Sequence, residues 1–188
     1  MNSRISRGVV TVAVVFLSIF GFTRILRATD ITAYVEGLVT KVDRSAKIVV
    51  VKATDGTEHT MHLVGRTVVY GGHEIFTGAD EAARGLQEGS RVVAHYTKQG
   101  GDETAEEIDR IGAHGLKSSE GAISRFDSTA QIITIKIADG TEETYRLTVH
   151  AAEDAGRNTD DAAKTLARAT VYYSEETGQK VAHFFRTT

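Results

Sequence analysis

Two stretches of the chain carry the same alternation of apolar and polar positions, and each encloses an Asp-Gly pair. The first is KIVVVKATDGTEHTMHL at residues 47–63, and the second is QIITIKIADGTEETYRL at residues 131–147. Alternation with a period of two is typical of a β-strand that buries one face. Asp-Gly between two such runs favours a tight hairpin, because the glycine adopts the positive φ that the turn requires. Each stretch therefore predicts a pair of antiparallel strands.

These hairpins belong to a longer internal duplication. Residues 37–63 align without a gap on residues 121–147, which lie 121 − 37 = 84 positions later, and 11 of the 27 aligned residues are identical. Further matching segments follow each hairpin at shorter spacing. They are the helical stretches 77–89 and 158–169, the strands 91–97 and 168–174, and the final strands 104–111 and 181–187. The duplication predicts two copies of one small domain.

The order of elements in each copy predicts its fold. Three strands come first, then a helix, then two more strands, which is the order of a small five-stranded OB-fold barrel. An SH3-like barrel is the main alternative, but it has no helix at that point. We expect barrel one at residues 35–112, a glycine- and serine-rich linker at 113–120 and barrel two at 121–188. The fold class is therefore mainly β, with two tandem OB-like five-stranded barrels, each with a helix between strands three and four, behind an N-terminal apolar helix.

Helix ends and strand faces follow from local signals. Thr77 with Asp80 has N-cap and N3 spacing in the first copy, as Asn158 with Asp161 has in the second, and Gly89 is expected to end the first helix. Period two assigns the strand faces. The residues expected to point inward are Val49, Val51, Ala53, Met61 and Leu63, with Ile133, Ile135, Ile137, Tyr145 and Leu147 in the second copy. Those expected to point outward include Lys52, Glu58, Thr60 and His62, with Lys136, Glu142, Thr144 and Arg146.

The turn and core motifs resemble a family of uncharacterised OB-like small β-barrel domains of exported bacterial proteins, present here as a tandem duplication. The shared pattern is G-x-V-x-x-V/I-D, a strand, D-G, and G-x-x-V before strand four. It is matched by Gly37–Asp43, Asp55–Gly56 and Gly89–Val92 in the first copy. The second copy keeps the first two elements and departs from the third at residues 166–169. The resemblance implies the barrel fold and brings no established activity.

The first thirty residues differ from the rest. Arg4 and Arg7 precede an uncharged apolar run at residues 8–22, and Arg24 and Arg27 follow it. A basic start before such a run is typical of an export signal or a short membrane anchor. At 15 residues the run is short for a permanent span. A retained inner-membrane anchor at residues 1–30 is favoured over a signal cleaved near residue 28 or a buried soluble helix. The body is therefore expected outside the cytoplasm, and periplasmic or secreted if the segment is cleaved.

Charge and composition exclude several functions. Beyond residue 30 the chain has 22 − 4 = 18 basic and 25 − 1 = 24 acidic residues, a net charge of −6. Nucleic-acid binding needs a basic face and stacking aromatics. The expected outer face of strands two and three has no aromatic residue, so nucleic acid is the least favoured partner. The chain has no cysteine, which removes disulfides, thiol catalysis and thiolate metal sites.

The strongest candidate chemistry is a metal site around HTMH at residues 59–62. His59, Met61 and His73 offer imidazole and thioether ligands of the kind that a soft ion such as Cu(I) accepts. His59 and Met61 share a strand face, whereas His62 lies on the other. The second copy replaces the set with Glu143, Tyr145 and Arg146. A copper-type site at His59, Met61 and His73 is therefore an alternative to a core role for Met61.

Other motifs predict no further chemistry. HEIFT at residues 73–77 lacks the second histidine of a zinc protease, and the acidic run at 102–109 lacks calcium-loop spacing and is expected to form a solvated final hairpin. No phosphate loop, nucleophile elbow or dinucleotide fingerprint is present, so neither an enzyme nor a cofactor is expected. Of Phe184 and Phe185, one should point inward. The other, with Tyr172, favours packing between the two barrels.

The sequence thus favours a non-enzymatic binding or adaptor protein that contacts an envelope protein or a glycan and meets the membrane through residues 8–22. An envelope metal-binding protein is the alternative, and nucleic-acid binding comes third. The oligomeric state stays open.

Overall fold

The computed structural model describes residues 31–72, 74–113, 115–127, 129–153 and 167–187. Within these residues the chain is mainly β and forms two closed five-stranded barrels. The first barrel is built from β1 (Ile31–Asp43), β2 (Ile48–Ala53), β3 (Glu58–Tyr70), β4 (Ile75–Thr77), α1 (Ala79–Gly85), β5 (Arg91–Gln99) and β6 (Asp102–Arg110). The second is built from β7 (Lys117–Asp127), β8 (Ile132–Ile137), β9 (Glu142–Leu147), β10 (Arg168–Glu176) and β11 (Gln179–Thr187).

Both barrels have the same strand order. Around the first barrel the order is β1, β2, β3, β6 and β5, with β5 returning to β1, and β4 extends the sheet beside β3. Around the second it is β7, β8, β9, β11 and β10, with β10 returning to β7. In each barrel the third and last strands run parallel, and the other pairs forming the barrel are antiparallel. The expected pair of five-stranded barrels in a mainly β chain is confirmed.

Each barrel encloses its own apolar core, as the alternation predicts. Val49, Val51 and Met61 are buried in the first core, and Glu58 and Thr60 are exposed. The second core holds the residues aligned with them, with Tyr145 filling the position of Met61. Strand faces are thus set by the period-two pattern of the sequence.

The identical residues of the duplication are those that the hairpin geometry requires. A Cβ on Gly37 would lie 2.2 Å from the carbonyl oxygen of Lys52, and one on Gly121 would lie 2.6 Å from that of Lys136. Gly56 has a φ of 90°, and the side chain of the preceding Asp55 accepts a hydrogen bond from Thr57 N at 2.9 Å. These glycines and aspartates therefore support the turns and strand pairings of the barrel.

The helix between β4 and β5 is shorter than expected. It begins at Ala79 after Gly78, whose φ is 91°, and no side chain caps it. Thr77 belongs to β4, so the expected cap at that residue is wrong, and Asp80 instead pairs with Lys47. The helix ends at Gly85 rather than near Gly89, because Leu86 is already extended.

Two expectations fall largely outside the described residues. The apolar helix at residues 1–30 lies outside them entirely. The second helix, expected at 158–169, lies outside them up to residue 166, and Arg168 onward is strand. Residues 149–153 form a helical turn, and Thr148 Oγ1 accepts a hydrogen bond from Ala151 N at 3.2 Å. Across the described ranges, no helix has both the length and the apolar character to cross a membrane.

Candidate functional site

The two barrels pack directly on each other through a small apolar cluster. Phe184 of β11 is 1% exposed and packs with Val93, Leu116 and Tyr172. Phe185, its neighbour, points the other way into the core of the second barrel. The prediction that one phenylalanine points into the barrel and the other packs between the barrels is confirmed.

The same strands of both barrels form this interface. The pairing of β5 with β6 matches that of β10 with β11 at an offset of 172 − 95 = 184 − 107 = 77 residues. His95 is thus equivalent to Tyr172, and Glu107 is equivalent to Phe184. The second barrel presents aromatic side chains at positions where the first presents ionisable ones.

Beside the apolar cluster lies a buried group of ionisable side chains, which we call the inter-barrel cluster. His95, Asp109 and His183 are 0% exposed, and Glu107 is 8% exposed. The imidazole ring of His150 stacks on that of His95, with centroids 5.3 Å apart and planes at 21°. The cluster therefore joins β5 and β6 of the first barrel to β11 and the 149–153 turn of the second.

Register explains how these side chains meet. His95 and Glu107 are partners across β5 and β6, and Asp109 follows two positions along the same strand, hence on the same face. His183 is the extra residue of a β-bulge, because Tyr172 pairs with Phe184 and Tyr173 pairs with Ala182. A bulge re-aims side chains. It allows His183 and Phe184 both to be buried, although they are adjacent in sequence.

The central contact of the cluster is an ion pair between the barrels. His183 Nδ1 lies 3.1 Å from Asp109 Oδ1 and 3.5 Å from Glu107 Oε1. Burial alone would lower the pKa of His183, but the two carboxylates outweigh burial and raise that pKa to about 10. Burial raises the pKa of Asp109 to about 7. Burial also acts to raise the pKa of Glu107, yet the neighbouring histidines hold it below its ordinary value.

The acidic run at residues 102–109 is therefore not the solvated hairpin that the sequence predicts. It does form a strand, β6, but Glu103, Glu107 and Asp109 are all buried. The alternation on β6 is compatible with one face exposed to solvent. The second barrel covers that face at Glu107 and Asp109, and no pattern within the first copy predicts that they are buried.

Ser174, His183 and Asp109 stand in the order of a catalytic triad. Ser174 Oγ lies 2.9 Å from His183 Nε2, and Ser174 borders a cleft of about 850 Å³. The carboxylates of Asp109 and Glu107 raise the pKa of His183, and a raised pKa disfavours the neutral imidazole that a general base requires. The Ser174 hydroxyl donates to Glu176 Oε1 at 3.0 Å. Both features act against activation of Ser174 by His183.

Of the residues predicted from the sequence to bind copper, Met61 lies in the barrel core and His59 contacts a carboxylate. Met61 is fully buried in the first core. His59 Nδ1 lies 3.2 Å from Glu103 Oε2, and its ring lies 5.5 Å from that of Tyr96. His73 lies outside the described residues. The structure thus shows His59 and Met61 on one face of β3, with His59 engaged by a carboxylate.

The second barrel contains the same contact with its charges exchanged. Glu143 occupies the position of His59 and Lys180 that of Glu103, and these two side chains form an ion pair beside Tyr173. Ser119 Oγ also donates to Glu143 Oε2 at 2.6 Å. An ion pair at this place is therefore a repeated feature of the barrel, which gives His59 a structural role.

Comparisons with known proteins add little to this picture. No protein-family profile matches the chain, and no curated protein sequence matches it. Among solved structures, the one described as "Crystal structure of Ag(I)CusF" is similar at 12% identity and a TM-score of 0.33, over 43% of this chain and 99% of that chain. At that level the likeness assigns neither a function nor a ligand to this protein.

Proposed function

We propose that this chain is a non-enzymatic binding or adaptor protein in which two OB-like barrels form one body. We further propose that residues 1–30 export it and hold it at the membrane, so that the body lies outside the cytoplasm. The partner is an envelope protein or a glycan. The basic and apolar pattern of residues 4–27 supports export, and a sequence without a phosphate loop, nucleophile elbow or dinucleotide fingerprint supports a role without catalysis.

The orientation of the docked barrels is the observation that carries this proposal. OB-folds bind their ligands across strands two and three. The barrels meet through β5, β6, β10 and β11, with further contacts from Tyr34 and Glu36 of β1 and from Tyr70 at the end of β3. The part of β3 around Thr60, with β2, and the pair β8 and β9 keep their outer faces accessible. Thr60 and Thr144, at the centres of these two faces, are exposed. Docking therefore leaves both OB ligand faces open.

The chemistry of the two open faces favours a polar partner. Their exposed ionisable side chains carry both signs of charge: Lys52, Glu58 and His62 on the first barrel, and Lys136, Glu142 and Arg146 on the second. No tyrosine, phenylalanine or tryptophan stands on the outer faces of residues 48–53, 58–62, 132–137 and 142–146, and Tyr70 at the far end of β3 packs on His183. Hydrogen bonding to a glycan or a protein surface suits such faces better than base stacking does.

Site-specific photo-crosslinking in cells tests the proposal. A photoreactive residue at Thr60 or at Thr144 should give a discrete crosslinked species outside the cytoplasm. The matched control is the same residue at Gln99, which is exposed at the end of β5 and distant in register from both faces. Equal crosslinking at all three positions, or none at the two threonines, would contradict binding through these faces.

The copper-type site at His59, Met61 and His73 is the alternative proposal from the sequence. Its test is Cu(I) titration of the wild-type chain and of a variant that combines His59→Ala with Met61→Leu. Loss of Cu(I) binding in the variant would support it. Unchanged binding would leave the Glu103 ion pair and core packing as the roles of His59 and Met61.

A further inference from the structure

We propose that His95, Glu107 and Asp109 bind one divalent metal ion that accepts mixed nitrogen and oxygen ligands, such as Zn²⁺ or Mn²⁺, between the two barrels. This site is separate from the proposed partner-binding faces and from the His59 region. Each of the three side chains offers one ligand atom, and these atoms lie within 4.8 Å of one another.

The backbone holds the three ligands on one rigid surface. His95 and Glu107 face each other across β5 and β6, and Asp109 follows Glu107 on the same side of β6. Ligands around one tetrahedral ion stand about 3.4 Å apart, given metal–ligand bonds of about 2.1 Å. Side-chain rotations that close the set by about an ångström are therefore sufficient, and no strand has to move.

The donor set selects the class of ion. One imidazole with two carboxylates is a mixed nitrogen and oxygen set, which suits Zn²⁺, Mn²⁺ and similar ions better than Cu(I). Both carboxylate oxygens of Asp109 are buried. Oδ1 faces His183 Nδ1 at 3.1 Å, whereas Oδ2 accepts no hydrogen bond from any described residue. The unmet capacity of Oδ2 is costly to keep in a buried place, and a metal ion is a partner that would satisfy it.

Packing does not require ionisable groups at the positions of His95 and Glu107. The second barrel, which docks through the equivalent strands, has Tyr172 and Phe184 there. At the position of Asp109 it has Arg186, since 186 − 109 = 77 as well, and Arg186 pairs with Glu36 of the first barrel at 3.1 Å. Replacing buried ionic groups by apolar residues is often neutral or stabilising. His95 and Glu107 therefore call for a reason other than docking.

The surroundings fit a metal site with supporting residues. His150 Nε2 lies 3.8 Å from Glu107 Oε2, and the His150 ring stacks on that of His95. Such neighbours orient metal ligands. His183 lies beside both carboxylates, and its contact with Ser174 links the cluster to the cleft that Ser174 lines. That cleft offers an entry path.

Calorimetric titration of the full-length chain with Zn²⁺, in mild detergent after metal removal, tests the site. We expect one Zn²⁺ per chain, and we expect Asp109→Asn, Glu107→Gln and His95→Gln each to weaken binding by at least tenfold. The matched control is Glu103→Gln, which alters an equally buried acid on the same strand outside the cluster and should leave Kd unchanged. Absence of binding by the wild-type chain, or equal loss in Glu103→Gln, would overturn the site.

A second measurement does not depend on the folding of any variant. Mn²⁺ broadens NMR signals of nuclei near its binding site, and the wild-type chain carries histidines in separate places. Selective broadening of the ring signals of His95 and His150 would support the site. Selective broadening at His59 or His62 would place the metal elsewhere and overturn it.

Discussion

His183 of the second barrel lies with its Nδ1 atom 3.1 Å from Oδ1 of Asp109 in the first barrel, and both side chains are fully buried. This ion pair links two domains that have separate cores, together with the apolar cluster around Phe184 and the ion pair of Arg186 with Glu36. Burying charge is expensive unless it is compensated. The contact therefore fixes how the barrels meet more than it adds net stability.

Neutralising His183 should destabilise the protein strongly. His183→Gln leaves Glu107 and Asp109 buried without their cation, and loss of one partner of a buried pair costs about 3 kcal/mol or more in the free energy of unfolding. Urea unfolding measures this loss. Adding Asp109→Asn should recover much of it, because the second change removes the uncompensated charge. A double variant no more stable than the single variant would contradict the ion pair.

Truncating Phe184 should weaken the contact between the barrels. Phe184→Ala removes a ring that is 1% exposed and should lower the free energy of unfolding by about 3 kcal/mol. Phe185→Ala is the matched comparison, because that ring belongs to the core of the second barrel. We expect Phe184→Ala to separate two unfolding transitions and Phe185→Ala to lower the transition of the second barrel. A cost below 1 kcal/mol for Phe184→Ala would contradict tight docking.

The ion pair of the second barrel should make stability depend on pH in acid. Burial acts to raise the pKa of Glu143, but Lys180, Ser119 and Tyr145 outweigh it and lower that pKa from 4.5 to about 2. A lowered pKa means that Glu143 stabilises the fold above pH 4.5, and that this stabilisation is lost as the pH falls from there towards 2.

The variant Glu143→Gln isolates this contribution. Its free energy of unfolding should fall less steeply than that of the wild-type chain between pH 5 and pH 2. Glu142→Gln, at the exposed neighbouring position, is the control and should keep the wild-type slope. Identical slopes for Glu143→Gln and the wild-type chain would refute the assignment.

The glycine that begins each repeat should not tolerate a side chain. Gly37→Ala places a Cβ 2.2 Å from the carbonyl oxygen of Lys52, and overpacking of this kind costs about 1–3 kcal/mol. Gly65→Ala is the control, because a Cβ there meets no atom within 4 Å. Thermal unfolding compares the two variants. Equal stability of both would show that the β1–β2 pairing does not depend on this close approach.

The sequence predicts the barrels well because their determinants are local and repeated. Each determinant acts within one hairpin: the alternation of apolar and polar residues, the Asp-Gly turn, and the close approach of the backbone at Gly37. The duplication repeats all three in the second copy. The helix ends were predicted less well. Gly78 and Leu86 adopt backbone conformations that stop α1 early, and the spacing of Thr77 and Asp80 does not reveal this.

The inter-barrel cluster was missed because its members are far apart in sequence and follow no motif spacing. One signal was available. The sequence predicts that Tyr172 and one of Phe184 and Phe185 pack between the barrels, and the strand pairings place His95 and Glu107 at the positions of Tyr172 and Phe184 in the first copy. Applying the docking argument to both copies would have predicted that these two ionisable residues are buried.

The claim that the barrels form one body with both ligand faces open is tested most directly by the distance between those faces. The chain has no cysteine, so spin labels can be placed at Thr60→Cys and Thr144→Cys alone, both at exposed positions. Pulsed electron–electron double resonance between the two spin labels should give one narrow distance distribution, centred on the separation of residues 60 and 144 in the structure. A broad distribution would show barrels that swing independently and would contradict docking through Phe184 and His183.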